Sequence, residues 1–185
     1  MNMSELSQLT DEHGSSVYSF CASLAHDEDE LLELYQDTFL KAAEMAHRID
    51  KNKNPKAFLM SVAVSVWRNR RKKYAVRNRI APRADAEELN TVSMKCDLQE
   101  DLIEKERYDV IRKTIAQLGD KHRIVTLMYY GAGLSVKEIA EAEKISDGTV
   151  KSRLFSARAE IKRRLEEYEN GGNQTGQRNQ SGSRL

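Results

Sequence analysis

Only two prolines and nine glycines interrupt these 185 residues, so little in the chain forbids long helices. The rest is dominated by Leu, Ala, Glu, Lys and Arg, which predicts an all-α fold. The two cysteines, Cys21 and Cys96, lie far apart with no cluster of ligand residues beside them. Neither a disulfide framework nor a zinc site is therefore indicated, and both are expected as reduced packing or surface thiols. His13, His26, His47 and His122 are scattered as well, so no metal and no cofactor is expected. There is no phosphate-cradling glycine loop, nucleophile elbow or metalloprotease helix, which points away from an enzyme. The longest apolar run, Phe58 to Trp67, is too short and too broken by serine to span a bilayer. With no basic, apolar and small-residue leader either, the expectation is a cytoplasmic protein without membrane insertion.

Charge of one sign is missing too: 30 Lys and Arg face 29 Asp and Glu, for a net charge of +1. Such a balance does not exclude nucleic acid, because local sign decides, and here the bases gather in two blocks with acids before and between them.

The most informative stretch runs from Leu134 to Ile161. Ser135 and Glu138 form a capping-box start, with Val136, Ile139 and Ala140 as an apolar stripe. After a break at Lys144 and Ile145, Ser146 can cap a second helix in which Val150, Leu154, Ala157 and Ile161 recur at helical spacing. Lys151, Ser152, Arg153 and Arg158 occupy the other side. Two helices in so tight a turn, the second apolar on one face and basic on the other, make a helix-turn-helix able to enter a major groove. Phe155 is placed to meet a thymine methyl.

Upstream, Leu6, Leu9, Val17, Phe20 and Leu24 share one helical face, with Gly14 as a possible break. The acids from Asp27 to Glu30 suit the start of a second helix carrying Leu31, Leu34, Tyr35, Thr38, Phe39, Ala42 and Ala46. Apolar residues on more than one side, with Gln36, Asp37 and Lys41, fit a helix that packs inward and also docks on a partner; a plain core face with a solvated back fits equally well. Asn54 and Pro55 mark a third helix start. It begins almost wholly apolar and turns basic at Arg68, Arg70, Arg71, Lys72, Lys73, Arg77 and Arg79, interleaved with Trp67, Asn69, Tyr74 and Asn78. That composition suits a backbone-and-stacking contact with nucleic acid, or an ordinary solvated helix end; Trp67 is as fit for a core as for a stacking platform.

Four segments are expected: a helical domain over 1–80, an acidic linker over 81–100, a four-helix domain over 101–168 in which Gly119 ends one helix and Asp120 caps the next, and a disordered tail over 169–185.

The order of these features resembles that of the bacterial RNA polymerase sigma factors of the extracytoplasmic-function (ECF) group of the sigma-70 family. LSVKEIAE followed by ISDGTVKSRLFSARAEI is very close to that family's region 4 pattern, and LGDKHRIV is similar to the preceding helix. LYQDTFLKA and PKAFLMSVAVSVWRNRRKK look like the core-binding helix and the promoter-melting segment of region 2. The resemblance implies two small all-α domains and a factor that directs core RNA polymerase to a restricted promoter set. It places Leu34, Gln36, Asp37 and Phe39 on the beta-prime clamp. Val62, Ser65, Trp67, Arg68, Asn69, Arg70, Arg71, Lys72 and Lys73 fall on the minus-ten strand. Ser146, Thr149, Lys151, Ser152, Arg153, Phe155 and Arg158 fall on the minus-thirty-five duplex. It further implies contact with the beta flap, a linker running toward the polymerase channels, and an anti-sigma partner.

Three positions depart from the family pattern: Ser65 replaces a frequent Asn, Lys144 the usual Gly of the turn, and Ser156 a frequent Arg. From the residues alone, the rival readings are a stand-alone helix-turn-helix regulator and a helical adaptor.

Overall fold

The computed structural model describes residues 3–45, 54–80 and 102–178; the expected linker over 81–100 lies outside them. Among the described residues the structure is helical throughout. It comprises α1 (Met3–Leu24), α2 (Glu28–Glu44), α3 (Pro55–Ile80), α4 (Leu102–Gln117), α5 (Asp120–Thr126), a π-helical turn (Leu127–Gly131), α6 (Val136–Glu143) and α7 (Asp147–Arg178).

Local chemistry sets most of the starts. Asp27 caps α2, its carboxylate accepting from the Glu30 amide at 2.7 Å, while the Glu30 carboxylate accepts from the His26 amide. Asn54 caps α3 through bonds from the Lys56 and Ala57 amides, and Pro55 takes the first helical position, where its missing N–H costs nothing. Ser135 and Glu138 complete the capping box of α6. The Ser146 hydroxyl accepts from the Thr149 amide at 3.2 Å to start α7.

Three expectations are corrected. Gly14 does not break α1; it lies buried in mid-helix, where a Cβ would come within 3.0 Å of the Tyr35 hydroxyl, so the missing side chain lets α1 and α2 close on each other. Asp120 is not a cap. The Gly119 carbonyl accepts the first helical bonds, from His122 and Arg123, and the Asp120 carboxylate is turned to Arg71 instead. Finally, α7 runs on to Arg178, through the first part of the tail expected to be disordered over 169–185, because no proline stops its hydrogen-bond ladder; residues 179–185 of that tail lie outside those described.

The turn between α6 and α7 is built on Lys144, the one non-glycine residue with positive φ among those described (φ 55°, ψ 48°). The Ile145 amide reaches the Ala140 carbonyl at 3.0 Å and the Lys144 amide reaches Glu141 at 3.3 Å, which is a Schellman closure. A Cβ in that conformation is strained. Lys144→Gly is therefore expected to raise stability by about 0.5–1 kcal/mol in chemical denaturation, less than the full strain because glycine is freer when unfolded.

Helices α1, α2 and α3 pack together, and α4 to α7 form a second group around Ile124, Met128, Ile139, Val150 and Leu154. The two groups are not separate bodies. Helix α6 packs on α3 and the π turn packs on α1, so one continuous cluster of buried side chains runs from Val17 to Leu154. This explains why α3 is apolar nearly all round over its first turns: Leu59, Met60, Val62, Ala63, Val64 and Trp67 are all buried, with α1 and α2 on one side and α6 on the other.

Candidate nucleic-acid and partner interfaces

Helix α7 starts after Ser146, and with that cap its first turns carry the seven residues that the resemblance assigns to the minus-thirty-five duplex. Val150, Leu154 and Ala157 are buried against the second group, which leaves Lys151, Ser152 and Phe155 exposed together; Phe155, at 72% exposed, is the most open large apolar side chain described. Arg153 is half-buried beside them. Ser146 and Thr149 turn their hydroxyls to each other (2.9 Å) at the helix start, where Ser146 also caps the helix by accepting from the Thr149 amide. Arg158 leans to the flank, where its Nε donates to the Tyr130 hydroxyl at 2.7 Å and its guanidinium lies over that ring.

The turn is steadied from the first group. The Asn54 amide donates to the Glu138 carboxylate at 2.6 Å, and the Ser135 amide and hydroxyl donate to the same carboxylate. Asn54, followed by the two Ser135 donors, holds the Glu138 carboxyl below its ordinary 4.5. Because the folded value lies below the unfolded one, this stabilisation is complete above the ordinary range and disappears as pH falls through the folded value. Thermal melting is thus expected to be insensitive to Glu138 from neutrality to about pH 5 and to drop below it. The acid-side drop should be shallower in Glu138→Gln, and identical slopes would remove Glu138 from the account.

The nine residues predicted for the minus-ten strand sort into three sets. Val62 and Trp67 are core: the Trp67 ring is fully buried and its Nε1 donates to the Leu24 carbonyl at 3.1 Å. Arg68, Arg70 and Arg71 are paired with acids. Arg70 joins Asp37 (2.6 Å) and Glu33 (2.7 Å) of α2; although partial burial acts the other way, these acids raise the guanidinium above its usual range. Arg68 joins Glu143 at 2.5 Å, and Arg71 joins Asp120. Ser65, Asn69, Lys72 and Lys73 are exposed and, at spacings of four, three and four, share one face of α3.

On α2 the structure separates the four residues predicted to dock on polymerase. Leu34 is fully buried, Phe39 is half-buried and edge-on to Tyr35, Asp37 is held by Arg70, and Gln36 is exposed. Two residues that the sequence reading passed over complete the outer face: Leu32 and Leu40, 43% and 65% exposed, flank Gln36 at intervals of four. Their signal was present in the sequence as a second leucine stripe, offset from the Leu31, Leu34, Thr38 and Ala42 stripe that packs inward.

A second apolar surface lies between α4 and α7. There Ile111, Ile115, Ile161, Leu165 and the Tyr130 ring line an open groove of about 560 Å³ rimmed by charged side chains. Elsewhere, burial pushes the Cys21 thiol up to about 12, which leaves it an inert core group; Cys96 is outside the described residues. Among the described residues no group of three or more His, Cys, Asp and Glu is placed to hold a metal, and no helix is long and apolar enough to cross a membrane.

Comparison with known proteins agrees with this layout. The family described as Sigma-70 region 2 matches residues 9–79, and that described as Sigma-70, region 4 matches 108–161. SigW of Bacillus subtilis, an ECF RNA polymerase sigma factor, is 26% identical over 162 residues, covering 85% of this chain and 87% of that protein. The ECF sigma factor SigL of Mycobacterium tuberculosis is 28% identical over 162 residues, covering 86% and 88%. Among solved structures, RpoE in complex with the anti-sigma factor NepR from Bartonella quintana has the same fold, with a TM-score of 0.69 at 21% identity over 88% of this chain and 97% of that one. CnrH in complex with the cytosolic domain of CnrY gives 0.64 at 19% identity, covering 90% of each. With region 2 in its first three helices, region 4 in its last four, and ECF factors as relatives along most of its length, the chain belongs to the ECF group of the sigma-70 family, the transcription initiation factors of RNA polymerase.

Proposed function

We propose that this sigma factor divides its work along the boundaries read from the sequence. Residues 1–80 dock on core polymerase and hold the opened minus-ten strand, and residues 101–168 read the minus-thirty-five duplex. The observation that carries this reading is the agreement of exposure with chemistry on α7: Lys151, Ser152 and Phe155 are open on one face while Val150, Leu154 and Ala157 anchor the other. Long basic and hydroxyl side chains on an open helix face are what base edges and phosphates require. On α3, Ser65, Asn69, Lys72 and Lys73 offer an open polar and basic track for a single strand. On α2, the stripe Leu32, Gln36 and Leu40 suits helix-on-helix docking to the beta-prime clamp. The groove between α4 and α7 suits an amphipathic helix, and the beta flap is its partner in this reading.

The solved relatives are each held by another protein, NepR or CnrY, and a comparable anti-sigma partner is proposed here. The site of action is the cytoplasm, with polymerase. No observation favours the stand-alone regulator.

Run-off transcription from a library of promoter fragments, with core polymerase alone and with this protein added, tests the whole assignment. Start-site-specific transcripts that require the protein are expected. Arg153→Ala is expected to lower promoter binding, each lost base contact costing about 1–3 kcal/mol, without changing polymerase association. Specific duplex binding without any polymerase binding would overturn the reading in favour of a stand-alone regulator.

A further inference from the structure

Arg68, Arg70, Arg71, Arg163 and Arg164 are each paired with a carboxylate. Arg158 is different: among the described residues the side chain that holds it is uncharged. Its Nε donates to the Tyr130 hydroxyl at 2.7 Å, and its guanidinium lies 5.9 Å from the centre of the same ring. A carboxylate in that position would orient the group and cancel its charge; a phenol orients it and leaves the charge intact. With Nε taken, both Nη nitrogens remain as a planar fork of donors, the geometry that suits a phosphate.

Tyr130 reaches this place through an uncommon backbone. It belongs to the π-helical turn Leu127–Gly131, in which the Ala132 amide reaches back to the Leu127 carbonyl at 2.9 Å. Leu127 and Met128 of that turn are buried, whereas Tyr130 stands 56% exposed, with the half-buried Tyr129 ring edge-on to it at 4.9 Å. Turns of this type are rare and concentrate at functional sites. A ring left so open adds little to a core, so packing alone does not account for it. Arg158 itself follows Lys151 and Phe155 at spacings of four and three, so these three exposed side chains share one face of α7. Fixing a long, exposed arginine in one rotamer costs entropy, and a side chain already held before its partner arrives loses less on binding.

We infer that Tyr130 is a positioning residue for duplex binding: its hydroxyl and ring hold Arg158 beside Lys151 and Phe155, with its charge and its Nη fork available to a DNA phosphate. This rests on the reading of α7 as the helix that meets the duplex.

Anisotropy of a fluorescein-labelled, random-sequence duplex of about 30 base pairs, roughly three helical turns, titrated with the full chain over a range of salt, tests it. A random sequence suffices because phosphate contacts are blind to sequence. Arg158→Ala is expected to flatten the slope of log affinity against log salt by about 0.9, the loss of one phosphate contact. Tyr130→Phe keeps the ring and removes only the acceptor. It is expected to weaken binding by about threefold to tenfold, the cost of ordering one long side chain, with the slope unchanged because Arg158 still reaches its phosphate. In the Arg158→Ala background the same change is expected to do nothing further, since a residue that acts through another has no effect once the other is gone. Both side chains are exposed, so melting midpoints should not move.

Unchanged duplex affinity in Tyr130→Phe overturns the positioning. So does a loss of the same size with and without Arg158, which would make the tyrosine a structural group or an independent contact. A Tyr130→Phe chain that keeps its duplex affinity but binds core polymerase more weakly also overturns it, and assigns the pair to the groove between α4 and α7 that both residues line. Arg158→Ala without effect on affinity or slope removes the arginine from the duplex, and the inference with it. If Lys151→Ala still flattens the slope in that case, the reading of α7 stands; if it too is silent, that reading falls as well.

Discussion

Replacing Leu32 and Leu40 together by alanine is expected to weaken binding to core polymerase by about tenfold to a hundredfold while leaving the melting of the free chain nearly unchanged. Both side chains stand open on the outer face of α2, at 43% and 65% exposure, so their removal leaves no cavity, and surface changes of this kind usually shift stability by less than about 0.5 kcal/mol. Leu34→Ala, two residues from Leu32, should do the reverse. That side chain is fully buried between the helices of the first group, and truncating it should cost about 2–5 kcal/mol through lost burial and the void left behind. The paired measurement is polymerase affinity and denaturation midpoint on the same preparations. If the outer pair proved destabilising, or left polymerase affinity untouched, the docking stripe would have to be sought on another face.

Trp67→Ala carries the second large effect, a loss of about 3–5 kcal/mol. Trp67 heads the fully buried side chains in size, and its removal would also leave the Leu24 carbonyl without the indole donor and strip Arg71 and Arg123 of the ring beneath them. The loss should therefore appear as a lowered midpoint before any effect on nucleic acid can be read. Lys72→Ala and Lys73→Ala, five and six residues further along the same helix, are exposed and should be silent in denaturation. Their effect belongs in the salt dependence of single-strand binding, where each lost phosphate contact should flatten the slope of log affinity against log salt by about 0.7. A full-strength slope in the double lysine variant would take that face off the strand's path; a Trp67→Ala chain with an unchanged midpoint would contradict its burial.

The helix-turn-helix was readable in detail because its determinants are local. The capping box spans Ser135 to Glu138, the Schellman closure spans Ala140 to Ile145, and the open face of α7 follows from spacing alone. The same local logic identified Asp27, Asn54 and Pro55 at helix starts. It failed at Gly14 and Asp120 for one reason. A glycine that breaks a helix and one that admits a neighbouring tyrosine read alike, as do an acid that caps and an acid that pairs with Arg71, when the partner is 21 or 49 residues away.

By itself the sequence determined the helical class, the order of two sigma-70 regions and the open face of α7, since each follows from periodicity, capping and charge within a few turns of chain. Only the tertiary structure decided which leucines of α2 face outward, that Trp67 is core, and that Arg68, Arg71 and Arg123 are spent on contacts between the halves. Whether an arginine is free for phosphate or already held by a carboxylate depends on distances of a few ångströms between residues 49 to 75 positions apart, and no local pattern in a chain encodes that.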